Sequence, residues 1–524
     1  MYYQILTVML LALGNHVQPT DGANILAFFP LPIYSHFSGF NPLFLELADR
    51  GHRVTVVSPF QPKGTVPSTY KHVSITNVRI PRRTNLLDIP KSYRITNMIN
   101  VRKTMMEMVR RTLVLKDTQA FLNDTRNAFD LVLSECWYSD AFLAVGHRYS
   151  APVMCLSPMM PSATLCAALG SPNNPSFVPS FWLHYSDAMR FSERLFNAVI
   201  TAAEMLLSGV VYRDVDQEMA DALFTYPGHE HRPPMDELRG AVAVTLINSH
   251  HSVSYPRPYP PGFVSVAGMH MRPKKESAVK VEPEFKMLLD SAIDGIIYFS
   301  FGSNIKMSDL PEHYVRMFVE SFRKLPQKVL WKWENGSIDN APDNVYVASW
   351  FPQQYILSHE NCKLFITHGG YHSLVEALHA GVPLIGFPFF TDQYYNMRFV
   401  VENGFGIEIM LNDLRENVLD DAIGSIMFDS SYKEHARRAS EIFLDLPSSA
   451  LDTAVYWVEY VIRNGPDFKL SLQSHRLNWY QYFLLDVIVS IIVILVSTAF
   501  FFYALIKFIC KRYFNSSFKI EKLN

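Results

Sequence analysis

The sequence predicts an α/β protein with two domains that face each other across a cleft, followed by one transmembrane helix. Apolar strand-like runs alternate with helical patterns, as in parallel sheets covered by helices. A Pro-rich stretch at 255–262 interrupts the alternation, which then restarts, so two sheets are predicted. The 524 residues suffice for two domains of ordinary size.

The predicted strands fall into two groups. They lie at 24–30, 53–58, 129–135 and 152–157 in the first half, and at 295–303, 328–333, 345–350, 363–369 and 382–389 in the second. Helices are predicted at about 41–50 and 140–149, with His36 in the loop after the first strand. Ligands of open α/β sheets bind beyond the carboxyl ends of strands, so the loops after these strands should line the site.

The two ends of the chain carry targeting signals. Residues 1–13 are apolar but too short to span a bilayer, which predicts a signal peptide cleaved near Gly22. Residues 487–506 contain no charge and are long enough to cross a membrane. Aromatic residues precede this run and basic residues follow it, so the tail is predicted to be cytosolic.

These signals predict a type I single-pass protein of the endoplasmic reticulum membrane. Asn123 and Asn335 begin lumenal glycosylation sequons, whereas Asn515 lies on the cytosolic side. Lys522 stands three residues from the end, as in retrieval signals. The predicted segments are a signal peptide (1–22), an N-terminal domain (23–265), a linker (266–290), a C-terminal domain (291–465), a juxtamembrane segment (466–484), a transmembrane helix (485–508) and a cytosolic tail (509–524).

Composition argues against several classes of function. The formal net charge of −2 gives no excess of positive charge that would indicate nucleic-acid binding. Five scattered cysteines form no zinc pattern and allow one disulfide without specifying its pair. The Asp-x-Asp sequence at Asp214 and Asp216 lies in a helical stretch with no preceding strand. It is interpreted as a solvated face, and no metal is expected.

The stretch KLFITHGGYHSLVEALHAGVP (363–383) predicts a strand, a His-Gly-Gly turn and a helix. Glycines allow the backbone to approach a ligand closely, and a helix amino terminus offers unpaired N–H groups to an anion. A diphosphate fits this arrangement. Nearby, Trp350 offers a stacking face, Gln353 an amide for a pyrimidine edge, and Glu376 an acceptor for ribose hydroxyls. Asp392 and Gln393 suit a hydroxyl-rich sugar.

Together the motifs W-F-P-Q, F-I-T-H-G-G, G-V-P and D-Q resemble the signature of the UDP-glycosyltransferases, which include the animal UDP-glucuronosyltransferases. The resemblance covers essentially the whole chain, is densest from 295 to 400 and is closest in texture to insect members. It implies two Rossmann-like domains of the GT-B type. The N-terminal domain would bind the acceptor and the C-terminal domain the UDP-sugar.

The resemblance also implies residue roles at the donor site. Trp350 and Gln353 would contact uracil, Glu376 ribose, and Asp392 and Gln393 the donor sugar. The diphosphate would bind Ser303, His368, Gly369 and Gly370. One position departs from the pattern, because His372 stands where many members have an asparagine that contacts phosphate. A histidine donates a hydrogen bond similarly, so altered donor affinity is expected rather than loss of function.

The implied reaction inverts the configuration at the anomeric carbon. The attacking hydroxyl must lose its proton to a general base. His36 matches the family's catalytic histidine. A carboxylate should orient it and stabilise the imidazolium. Glu135 and Asp140 are the two candidates, and the sequence leaves both open. Neutral donors and helix dipoles would bind the leaving UDP, so the UDP-sugar is a co-substrate and no cofactor is expected.

Two hypotheses follow. The first is an active transferase that conjugates small lipophilic acceptors in detoxification, with glucose favoured as the donor sugar over glucuronate. The irregular, aromatic-rich region at 165–240 would bind those acceptors. The second is a catalytically silent membrane protein that binds a nucleotide sugar or a lipophile. Either form is compatible with a homo- or hetero-oligomer.

Overall fold

The computed structural model describes residues 22–62, 64–75, 94–137, 139–208, 213–271, 281–303 and 305–521. The predicted signal peptide (except Gly22) and Lys522 lie outside these ranges. The contacts divide the chain after Ser471 into two compact units. The first unit contains both sheets, and the second contains the apolar C-terminal helix.

Thirteen strands are found among the described residues. They are β1 (Asn24–Phe28), β2 (Arg53–Ser58), β3 (Tyr70–Ser74), β4 (Leu131–Glu135), β5 (Val153–Ser157), β6 (Val242–Ile247), β7 (Phe263–Ser265), β8 (Ile296–Ser300), β9 (Lys328–Lys332), β10 (Val345–Ala348), β11 (Cys362–Thr367), β12 (Leu384–Gly386) and β13 (Gly406–Glu408).

The helices cover both faces of the sheets. They are α1 (Tyr34–Asp49), α2 (Arg94–Leu113), α3 (Lys116–Asn123), α4 (Ala144–Tyr149), α5 (Ala163–Ala168), α6 (Phe191–Leu206), α7 (Arg213–Leu223), α8 (Met235–Gly240), α9 (Pro283–Asp290), α10 (Glu312–Arg323), α11 (Gln353–Leu357), α12 (Tyr371–Ala380), α13 (Gln393–Glu402), α14 (Glu416–Phe428), α15 (Ser430–Leu444), α16 (Ala450–Asn464), α17 (Trp479–Tyr482) and α18 (Leu485–Glu521). Short 3-10 turns lie at Ala141–Leu143, His229–His231, Met307–Asp309, Leu411–Asp413 and Gln473–Arg476.

Both sheets are parallel. The first has the order β3-β2-β1-β4-β5-β6-β7 and the second the order β10-β9-β8-β11-β12-β13. Strands such as β4 and β8 are buried along their whole length, as expected for a sheet covered on both faces. In each sheet the strand order reverses beside the first strand, so the loops after β1 and β4, and after β8 and β11, lie next to each other.

Helix α1 begins at Tyr34, earlier than the predicted start at 41, and the prediction that His36 lies in a loop is therefore wrong. Pro42 lies inside the helix rather than in its first turn. An apolar stripe of Phe37, Phe40 and Phe44 has helical spacing and is buried. Burial of that stripe explains the earlier start.

The two halves share apolar contacts. Helix α16, which falls within the predicted C-terminal domain, packs Val455 and Val458 into the core of the first sheet with Ile25. Trp182 of the first half belongs to the same apolar cluster as Tyr395 of the second. Segments of each half of the first unit therefore pack against the other half.

In the second unit, α18 contains a stretch, Leu485–Arg512, that is long and apolar enough to cross a membrane. Its mean hydropathy is 2.6, and none of its most apolar window is buried within the protein. A core helix of a soluble domain would be mostly buried. The exposure therefore agrees with the predicted transmembrane segment at 485–508.

Candidate functional site

His36 and Glu135 form a buried pair at the carboxyl ends of β1 and β4. Nδ1 of His36 lies 2.5 Å from Oε1 of Glu135. The side chains meet because the two strands are neighbours in the sheet. Trp137 packs edge-on against the imidazole, with 4.7 Å between ring centroids. A carboxylate at Nδ1 accepts that N–H and leaves the lone pair on Nε2 for a proton.

Asp140 does not contact His36, so the alternative that it orients the imidazole is wrong. It holds the N-cap position of a 3-10 turn but makes no capping bond. Its Oδ2 accepts a hydrogen bond from Nε of Arg239 at 2.7 Å. The buried guanidinium also lies 2.6 Å from Asp236 and 3.5 Å from Asp216. Asp140 is therefore part of an ionic cluster.

Asp216 belongs to this cluster, and its interpretation as part of a solvated face is wrong. It is only 2% exposed, and its Oδ1 accepts a hydrogen bond from the hydroxyl of Ser139. Burial, followed by the charge of Asp140, raises the pKa of Asp216 to about 6. Among the described residues, no group of three His, Cys, Asp or Glu side chains could hold a metal ion.

A disulfide joins Cys136 to Cys155, a pair that the sequence had left unspecified. Cys136 directly follows Glu135, and Cys155 lies on the adjacent strand β5. The bond therefore fixes the chain next to the carboxylate that contacts His36.

The predicted glycine turn follows β11 and precedes α12. Gly369 has a φ of +76°, in the left-handed region that favours glycine. A Cβ at Gly370 would lie 2.4 Å from Nε2 of His368, and one at Gly302 would lie 2.7 Å from Cε1 of the same ring. The imidazole of His368 is therefore held between two glycine backbones. Gly302, which sequence analysis missed, follows β8, the strand beside β11.

This turn suits a diphosphate. Burial, followed by the positive charge of Lys332, lowers the pKa of His368 to about 4, so the ring is neutral and offers one N–H. Ser303 is exposed on the neighbouring loop after β8. The first turn of α12 adds unpaired backbone N–H groups and the positive end of a helix dipole.

Trp350, Gln353 and Glu376 line the adjoining part of the cleft. Trp350 is 55% exposed, and its ring meets the edge of Tyr34 from the first half. Nε2 of Gln353 donates to Oε2 of Glu376 at 2.6 Å. Gln354 donates to the other carboxylate oxygen at 3.1 Å. Burial raises the pKa of Glu376.

Asp392 and Gln393 lie where α13 begins. Asp392 accepts hydrogen bonds from Thr391 and Asn396, both at 2.8 Å. The carbonyl oxygen of Gln393 accepts from the backbone N–H groups of residues 389 and 390, so its amide N–H groups remain for a sugar hydroxyl. Burial raises the pKa of Asp392, and its hydrogen bonds with Thr391 and Asn396 oppose this.

His372 connects the second half to the first. Its Nε2 accepts a hydrogen bond from Nδ2 of Asn248 at 3.1 Å. Its ring stacks on His270, with 4.6 Å between centroids, and a Cβ on Gly39 of α1 would lie 2.9 Å from it. Burial, followed by the charges of His270 and His36, lowers the pKa of His372 well below its usual value. The neutral ring keeps Nδ1–H as its donor.

Both candidate glycosylation sequons are exposed. Asn123 ends α3, and its amide donates to the carbonyl of Gln119. Asn335 lies in the exposed turn after β9. The side chain of Asn515 lies outside the described residues.

The sequence matches a family model described as "UDP-glucoronosyl and UDP-glucosyl transferase" over residues 30–520. UDP-glucosyltransferase 2 of Dactylopius coccus is 32% identical over 528 residues, covering 98% of this chain and 99% of its own length. UDP-glucuronosyltransferase 2A2 of Homo sapiens is 28% identical over 519 residues, covering 95% of this chain and 92% of its own length.

Solved structures share the fold. Glycosyltransferase VinC in complex with DTDP has a TM-score of 0.56 at 17% identity, with 84% of this chain and 100% of that chain covered. UDP-glucose: anthocyanidin 3-O-glucosyltransferase in complex with UDP has a TM-score of 0.54 at 16% identity, with 85% and 100% covered. These matches confirm the predicted GT-B architecture.

Proposed function

The chain belongs to the family of UDP-glucoronosyl and UDP-glucosyl transferases, and we propose that it transfers a hexose, with glucose favoured, to small lipophilic acceptors. The family that the sequence resembles and the predicted class of enzyme are therefore both confirmed. The chain is a UDP-sugar glycosyltransferase. The observation that carries the finer proposal is the His36–Glu135 pair, because helix α1, which holds His36, also contacts Trp350 and His372 of the second half.

In the proposed reaction His36 is the general base. Glu135 holds Nδ1–H, so Nε2 takes the proton of the acceptor hydroxyl as its oxygen attacks the anomeric carbon. The bond from that carbon to the diphosphate breaks, and UDP leaves with the electron pair. Attack from the face opposite the diphosphate inverts the configuration. The negative Glu135 carboxylate stabilises the imidazolium that forms.

The donor would bind along the second sheet. We assign uracil to Trp350 and Gln353, the diphosphate to the turn at 368–370 with Ser303 and His372, and the sugar to Asp392 and Gln393. The Dactylopius coccus relative is named a glucosyltransferase, which supports glucose. Glucuronate stays the other candidate, because the relative from Homo sapiens is named a glucuronosyltransferase.

A small cavity in the first half is lined in part by the predicted acceptor region. Met98, Phe181 and Leu207 contribute apolar side chains to its walls, together with the carboxyl group of Glu204. Burial raises the pKa of Glu204, which favours its neutral form. The walls come from α2, α6 and the segment before α6, which includes part of the predicted acceptor region. The walls also include Arg102, Thr164 and Ser208, so a hydrophobic molecule that carries a hydroxyl group would find polar partners there.

We place the enzyme in the endoplasmic reticulum membrane, with its sheets in the lumen. The apolar stretch Leu485–Arg512 and the disulfide Cys136–Cys155 support this, because disulfides persist in oxidising compartments. Endoglycosidase treatment tests the topology. A mobility shift that is lost in the double variant Asn123→Gln/Asn335→Gln supports a lumenal domain.

Release of UDP tests the activity. Full-length protein in detergent is incubated with UDP-glucose or UDP-glucuronate and a panel of phenols. Release should depend on the acceptor, favour UDP-glucose and be lost in His36→Ala. His313→Ala, a change at an exposed histidine, serves as the control. UDP binding without turnover from any donor would instead favour the silent nucleotide-sugar- or lipophile-binding protein.

A further inference from the structure

His270 is a buried histidine whose two ring nitrogens have no hydrogen-bond partner among the described residues. Its side chain is 6% exposed, and neither Nδ1 nor Nε2 forms a hydrogen bond with any residue that the structure describes. Buried polar atoms are nearly always paired, because leaving them unpaired costs free energy. An exception of this kind beside a proposed ligand site indicates that a ligand supplies the partner.

The surroundings of His270 identify where that partner would bind. Its ring lies parallel to His372, with an interplanar angle of 13°. Its Nε2 lies 3.7 Å from Oε1 of Glu376, which is too far for a direct hydrogen bond. The backbone carbonyl of His270 accepts a hydrogen bond from Gln354, which also donates to Oε1 of Glu376. Gln354 therefore holds both groups in place.

We propose that a ribose hydroxyl of the UDP-sugar binds between Nε2 of His270 and Oε1 of Glu376. The inference rests on the proposed function and adds a donor-binding residue to it. The two atoms are 3.7 Å apart, so one hydroxyl oxygen can lie about 2.8 Å from both of them at the same time. It accepts the N–H of His270 and donates to the carboxylate.

The chemistry of the gap selects a hydroxyl over the other groups of a nucleotide. A phosphate oxygen only accepts hydrogen bonds and would be repelled by the Glu376 carboxylate. Burial, followed by the charge of His379, lowers the pKa of His270 to about 4, so the ring is neutral at pH 7. A neutral imidazole offers one N–H to an uncharged oxygen.

The proposed contact joins the two halves of the first unit through the nucleoside. His270 follows β7 of the first sheet, whereas Glu376 lies on α12 of the second. Sequence analysis missed His270 because it lies outside the motifs that carry the donor site.

Nucleotide binding tests the proposal. Calorimetry measures the affinity of the full-length protein for UDP, 2′-deoxy-UDP and 3′-deoxy-UDP. The protein should bind one deoxy analogue at least tenfold more weakly than UDP. His270→Ala should weaken UDP binding at least tenfold and narrow the difference in affinity between UDP and that analogue, because only the contact of the hydroxyl with Glu376 remains. His270→Gln, which keeps an N–H donor, should recover part of the affinity, and His313→Ala should match the unaltered protein.

The outcomes separate this inference from the proposed function. Failure of the unaltered protein to bind UDP would overturn the proposed function itself. UDP binding that is unchanged in His270→Ala would overturn only the role of His270. Equal weakening of UDP and both deoxy analogues would also overturn it, because the residue would then act only by supporting His372.

Discussion

Nδ1 of His36 lies 2.5 Å from Oε1 of Glu135, and the two side chains are 10% and 2% exposed. Glu135→Gln removes the negative charge that would stabilise the imidazolium. We predict a decrease in kcat of about 10²- to 10⁴-fold with a smaller change in KM. Steady-state kinetics measure this, with the exposed Glu230→Gln as the control. A kcat within threefold of the unaltered enzyme would contradict the proposed role.

Asp140 should affect stability rather than catalysis. Asp140→Ala removes one partner of the buried Arg239, and we predict a loss of about 3 kcal/mol in the free energy of unfolding. The control is Asp236→Ala, whose half-exposed carboxylate contacts the same guanidinium and should cost less than about 1 kcal/mol. Denaturant unfolding measures both. A tenfold loss of kcat in folded Asp140→Ala protein would argue against this division of roles.

Asp216 should make stability depend on pH. Its folded-state pKa of about 6 lies above the unfolded value of about 4, so the folded state binds the proton more tightly. The contribution of Asp216 to the free energy of unfolding has its full value below about pH 4 and is lost as the pH rises through about 6. Asp216→Asn should therefore lose less stability than the unaltered protein between pH 4 and pH 7, by roughly 2–3 kcal/mol.

Unfolding curves at the two pH values check this prediction. Asp214→Asn, a change at an exposed carboxylate on the same helix, is the matched control. Histidines that titrate in this range contribute equally to each protein and cancel in the comparison. Parallel pH dependence of Asp216→Asn and the unaltered protein would be the contrary result.

Gly370→Ala should impair donor binding. The new Cβ would lie 2.4 Å from Nε2 of His368, whose ring cannot move away freely because the backbone of Gly302 lies close to it. We predict at least a tenfold loss of UDP affinity in a folded protein. Gly424→Ala, in α14, adds a methyl group with its nearest contact at 4.0 Å and should bind UDP normally. Unchanged affinity in Gly370→Ala would show that the turn does not hold the diphosphate.

The sequence predicted the main α/β elements because their buried strands are continuous apolar runs. It did not predict β3, β6, β7 or β13. Each of the last two has three residues, which is too short for a periodic pattern. Their place in the sheets depends on neighbours that are distant in sequence.

The donor-binding residues were predictable from the sequence. The partners of the charged and titratable side chains, such as His36 and Asp216, were not. Gln353 and Glu376 lie within one motif, and the structure brings them into contact. The partner of His36 depended on which strand lies beside β1, and Asp216 was misjudged because its cation, Arg239, comes from another helix. Such pairings are set by tertiary packing and leave no local pattern.

The configuration of the product tests whether the enzyme transfers glucose with inversion and uses His36 as its general base. UDP-glucose is an α-glycoside. Attack by an acceptor that His36 deprotonates should therefore give a β-glucoside, and proton NMR distinguishes the two anomers by the signal of the anomeric proton. We expect a β product from the unaltered enzyme and no product from His36→Ala protein that still binds UDP. An α product, or an undiminished yield from His36→Ala, would contradict this mechanism.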